Sequence, residues 1–108
     1  MNIDPNEAIN FMIKNAEKYA QAKADVTYLT EHRKTVKALG FQRSLKNTMA
    51  EKEADAYTTD DYKTCVEGLR EAVAEAERLR WMLVAAQARI DCWRSMEASN
   101  RAVERATL

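Results

Sequence analysis

The stretch Leu79–Trp93, LRWMLVAAQARIDCW, decides how this chain is read. Leu79, Leu83, Ala86, Ile90 and Trp93 recur at steps of three and four residues, the spacing of one face of an α-helix. Trp81, Ala85, Ala88 and Cys92 make a second apolar stripe beside the first. A helix with one apolar stripe needs one neighbour, and a helix with two needs more than one. The first stripe therefore calls for another helix of the same chain. The second calls for a further surface.

Upstream the rhythm extends through Tyr62, Val66, Leu69, Val73 and Ala76, which gives a helix over about 61–101. Thr58 or Thr59 caps its start, and Asp60 and Asp61 suit the positive end of its dipole. Gly68 lies off this seam and is tolerated there. The tail 102–108 carries no apolar pattern and is expected to fray.

The first half of the chain opens with a clear helix start. Asp4 is an N-cap, Pro5 fits the first helical position, and Glu7 has capping-box spacing. Met12, Tyr19, Ala22, Val26, Leu29 and Val36 then follow a near-heptad rhythm, the mark of a seam against another helix. Gly40 interrupts the rhythm, and Phe41, Leu45 and Met49 resume it in a rotated position. A glycine inside a helix costs about 1 kcal/mol relative to alanine, so its presence points to the close approach of another backbone. The expectation is one helix over about 5–54, kinked near Gly40, and a turn at about 55–60. The alternative is that 41–55 breaks away and packs back as a third helix over the second stripe.

Two such helices joined by a short turn fold back on each other. Folding about position 57 sets Val36 against Leu79, Leu29 against Ala86, Ala22 against Trp93, and Gly40 near Ala74–Ala76. The expected architecture is all-α: one domain, residues 1–108, built as a long antiparallel helical hairpin. A two-helix hairpin buries little area per residue, so it is expected to assemble into a helical bundle with further copies. Trp81, Ala85, Ala88 and Cys92 are the expected self-association or partner interface.

Composition agrees with this picture. Two glycines and one proline leave little for turns, and aromatics at 7% leave a thin core. The net charge of zero argues against bulk attraction to nucleic acid or membrane. Its distribution is uneven. Segment 31–46 carries a net of +4, segment 51–77 a net of −6 and segment 78–108 a net of +3. Arg33, Lys34, Lys37, Arg43, Lys46, Arg94 and Arg101 are the candidate nucleic-acid contacts, weakened by the acids among them. No window approaches the roughly 18–20 apolar residues of a membrane span, and the start lacks the pattern of a secretory signal. On one helix, Cys65 and Cys92 would stand roughly 40 Å apart, beyond disulfide reach. Both are expected as reduced thiols in a cytoplasmic protein.

Motifs of chemistry are sparse. His32, the one histidine, stands between Glu31 and Arg33 and reads as a solvated side chain. The cysteines lack the spacing of a zinc site. Glu67, Glu71 and Glu75 read as a solvated face, because a di-metal bundle site needs Glu-x-x-His pairs. Arg33 and Arg80 projecting inward would hold a dianion, as in small helical mutases, but snorkelling outward is the simpler reading. No phosphate-binding glycine loop or nucleophile elbow is present. The expectation is a protein that is not an enzyme, with no catalytic residue, cofactor or metal.

NFMIKNAEKYAQAKADVTYLTEHRK (10–34) and VEGLREAVAEAERLRWMLVAAQARIDCWRSMEASNR (66–101) resemble small helical proteins encoded by bacteriophages and prophages of proteobacteria. The most distinctive piece is LRWMLVAAQARIDCWR followed by EASNR. Such proteins sit beside genes for recombination or single-strand annealing. The resemblance implies a non-enzymatic accessory role in phage DNA recombination or replication, in the bacterial cytoplasm, with a phage or host protein of DNA metabolism as partner. It carries no residue roles. Two other readings stand beside it: an inhibitor that docks on a host nuclease or defence complex through the acidic block, and a weak direct DNA binder.

Overall fold

The computed structural model describes residues 2–107. The chain forms three helices, α1 (Pro5–Arg43), α2 (Met49–Ala56) and α3 (Asp60–Thr107), and no strand occurs among the described residues. Each helix starts on a side-chain cap, which satisfies backbone donors that have no partner within the first turn. Asp4 Oδ1 accepts from the backbone N–H of Asn6 at 2.9 Å and of Glu7 at 3.4 Å. Thr48 Oγ1 accepts from Glu51 N at 3.1 Å, and Thr59 Oγ1 from Tyr62 N at 3.1 Å.

The first helix ends earlier than its rhythm suggests. α1 runs unbroken through Gly40 and stops at Arg43, and the residues up to 48 cross over to α2. Residues 49–56 are thus a helix of their own, and the break before α3 is only 57–59. At the far end α3 continues to Thr107, so the tail expected to fray is helical from 102 to 107. Residue 108 lies outside the described residues.

The chain divides into two compact units, Met1–Tyr19 with Arg78–Leu108, and Ala20–Glu77. Within each, α1 packs against α3 in hairpin fashion. In the first unit Ala8, Ala86 and Ile90 form a buried cluster, with Phe11 and Met12 packed against it. In the second, the Cys65 thiol donates to the Leu29 carbonyl oxygen at 4.0 Å, and Leu29 Cδ1 lies 3.9 Å from where a Cβ on Gly68 would stand. Nearer the turn, a Cβ on Gly40 would stand 3.2 Å from Ala56 Cα and 3.4 Å from Thr59 Cγ2. As the α1 number falls from 40 to 29 its partner rises from 59, the cap of α3, to 68, so the two helices of this hairpin run antiparallel.

These contacts replace the register expected for a fold about position 57. Leu29 meets Cys65 rather than Ala86, and Gly40 meets Ala56 rather than Ala74–Ala76. The reason is the length of the turn. Residues 44–59, α2 included, are spent on reversing the chain, so α3 slides along α1 by several turns.

The seam itself is regular. On α3, positions 62, 65, 69, 72, 76, 79, 83, 86, 90, 93 and 97 are all buried or half-buried, in strict alternation of three- and four-residue steps. On α1 the same holds for 8, 12, 15, 19, 22, 26, 29, 33, 36 and 40. This is the spacing of coiled-coil seams. Cys65 and Ala72 take seam positions that were expected for Val66 and Val73, both of which are exposed. At these two positions the seam carries the smaller of two adjacent residues, and small side chains let the helices approach closely.

The two glycines are expected to respond in opposite directions to substitution. Gly68→Ala adds a methyl in ordinary contact with Leu29 and should stabilise by about 0.5–1 kcal/mol through helix propensity. Gly40→Leu drives a side chain into the Ala56 backbone and should destabilise by about 1–3 kcal/mol despite leucine's good propensity. Urea unfolding followed by circular dichroism reads both. A neutral or stabilising Gly40→Leu would show that α2 does not press on Gly40.

Candidate interaction surfaces

The second apolar stripe of α3 lies off the seam. Trp81 is 59% exposed, Ala85 and Ala88 are exposed, and Cys92 is a half-buried free thiol. The Arg80 guanidinium carbon stands 4.6 Å from the Trp81 ring centroid, a cation–π contact. Residues 49–56 form the third helix of the three-helix alternative, in the unit Ala20–Glu77, where Ala56 lies against Gly40.

Ala85 also lines a groove of about 240 Å³ in the first unit, with Glu7, Ala8 and Phe11 on α1 and Met82, Ala86 and Arg89 on α3. Most of these side chains are apolar, with one acid on the α1 side and one base on the α3 side. Positions 82, 85, 86 and 89 follow the i, i+3, i+4, i+7 spacing of a single helix face. The sequence pattern offers Glu7 only as a capping residue, and it does not single out Phe11 or Met82. Met82 and Arg89 share the 3.6-residue period with Ala85, and that was the available signal. Further apolar side chains are exposed on α1 of the same unit, among them Ile13 at 71% and Ile9.

The cations named as nucleic-acid contacts sit among acids. Lys34 Nζ pairs with Glu31 at 3.2 Å, and Lys37 Nζ with Glu53 at 3.2 Å. Arg94 lies 4.0 Å from Asp91. Arg43 lines a second cleft of about 240 Å³ together with Asp55 and Asp61, and Lys46 lines a shallower one with Glu51 and Asp55. Arg33 is half-buried on the α1 seam, while Arg101 is exposed near the end of α3. Carboxylates beside the cations compete with phosphate for the same charge.

Chemistry-bearing groups are not gathered into a reactive set. His32 is exposed and stacks on Tyr28, with centroids 5.5 Å apart and planes within 9°. No group of three or more His, Cys, Asp or Glu able to hold a metal occurs among the described residues. Among the described residues, no helix is long and apolar enough to cross a membrane. No protein-family model, curated protein or solved structure matches this chain.

One polar contact fixes α2. Lys37 Nζ donates to the Tyr57 hydroxyl at 2.6 Å as well as to Glu53. These two hydrogen bonds, the one to Tyr57 first, hold the Lys37 ammonium above its ordinary pKa of 10.5. A raised lysine value means that folding favours the charged form. Its contribution is complete below the unfolded value and is lost as pH rises through the folded one. The urea midpoint of the native chain should therefore exceed that of Lys37→Met by a constant amount at neutral pH, and the gap should close above pH 10.5. A gap that persists there would show that the contact is held by packing rather than charge.

Proposed function

We propose that this chain is a non-enzymatic interaction protein that works by presenting helix faces, first to further copies of itself and then to a protein partner. The observation that carries the reading is the surface left over once the seam is closed. The chain exposes 8308 Å² for 12.3 kDa. A compact folded chain of that mass exposes roughly 6,100 Å², so roughly 2,200 Å² more remains in water than a compact domain would leave. That surplus includes large apolar side chains: Trp81, Ile13, Met82, Val84, Met96 and Val103 are all exposed. No large side chain is fully buried among the described residues, so the interior alone offers little to offset chain entropy.

The likeness of LRWMLVAAQARIDCWR and EASNR to phage-encoded helical proteins directs the partner reading toward an accessory role in DNA recombination or replication. A second reading is an inhibitor that docks on a basic host protein. In its favour, Glu51, Glu53, Asp60 and Asp61 are exposed around α2 and the start of α3.

Sedimentation equilibrium tests the self-association that both readings share. The expected mass is a multiple of 12.3 kDa at tens of micromolar. A monomer at that concentration overturns the proposal. Binding of the purified chain to a recombinase or single-strand-binding protein supports the accessory role. Binding to a nuclease, lost in high salt, supports the inhibitor. Strong retardation of bare DNA at low salt, with neither protein bound, overturns both in favour of direct nucleic-acid contact.

A further inference from the structure

We propose that the groove of the first unit seats a second copy of this chain, across a two-fold axis that sets Glu7 of each copy against Arg89 of the other. The inference rests on the self-associating reading above and names its surface. Ala8, Phe11, Met82, Ala85 and Ala86 supply the apolar part of the groove, with Glu7 on the α1 side and Arg89 on the α3 side. A helix face with this spacing, open to water, is what another helix packs against.

The charges select which helix. One wall is acidic and the other basic, so the face is complementary to itself. A two-fold axis parallel to the helices lays α1 of one copy over α3 of the other. The acid wall then meets the basic wall twice, once on each side of the axis. An arrangement that stacks α1 on α1 sets Glu7 against Glu7 and Arg89 against Arg89, which disfavours it. Phe11 lines the groove from α1 and Met82 from α3. An aromatic ring beside a flexible thioether suits the anchor of such a contact.

The test is a charge swap on the full chain, read by sedimentation equilibrium. Glu7→Arg and Arg89→Glu are made separately and studied alone and as an equimolar mixture. Alone, each variant faces itself with two like-charged contacts, and its dimer Kd should rise by about tenfold. Mixed, the two variants present opposite charges at both contacts, and the affinity should return to that of the native chain. Neutral variants, Glu7→Gln and Arg89→Gln, should weaken association less and gain nothing on mixing. Both positions are exposed, and circular dichroism checks that helicity is unchanged. Variants that associate as tightly as the native chain, or that are weakened without rescue on mixing, overturn this seat while self-association stands. A native chain that is monomeric overturns both.

Discussion

A seam of small side chains governs this molecule. Of the buried apolar residues, Ala8, Ala22, Ala56, Ala76 and Ala86 are alanines, joined by Cys65, Leu79 and Ile90. An alanine removes little apolar area from water, and at about 25 cal/mol per Å² such a seam gains less per residue than one of leucines. In return it lets two helix backbones approach closely and interlock. Two consequences follow from this one choice. The helices must be long, because each turn contributes little. And the valines beside its small positions, Val66 and Val73, face outward.

The turn is shaped by the same constraint. α2 is short, and a helix of eight residues is marginal unless held at its ends and on one face. Thr48 caps its start, Ala56 presses on Gly40, and Lys37 reaches across to Glu53 and Tyr57. Gly40 is the position where the approach is closest, and there a side chain would meet backbone rather than a flexible tip. The place of α2 fixes how many residues are used in reversing the chain, and so fixes which residues of α3 meet α1 in the second unit.

How much of this was legible follows from the range of each interaction. The helical class, the Asp4 and Thr59 caps and the α1 seam from Met12 to Val36 all rest on contacts within a few residues, and local pattern shows them. The close approach at Gly40 was also legible, since a mid-helix glycine asks for a neighbour. Its partner was not, because that depends on where α1 ends. The chain leaves α1 at Ser44 with no glycine or proline to mark the stop. The cue lies four residues on, in the Thr48-x-x-Glu51 spacing of a capping box, which outweighs the apolar continuation through Leu45 and Met49. Leu45 and Met49 are in fact among the most exposed apolar residues. On α3, Cys65 and Ala72 hold the seam positions that the apolar rhythm gives to Val66 and Val73, which are exposed.

The outward-facing residues then acquire a meaning that none has alone. Single exposed apolar side chains are ordinary on any protein surface. Here they are not scattered at random around the helices. Met82, Ala85 and Arg89 keep one face of α3 beside the seam, and Phe11 with Glu7 meets them from α1. A groove flanked by a second apolar stripe through Trp81 and Ala88 is too much apolar length for a solvated face. The seam takes alanines together with Leu79, Leu83, Ile90 and Trp93, while Trp81, Met82 and Ala85 stay outside it; under the self-association proposed above, stability and function would depend on the same contacts.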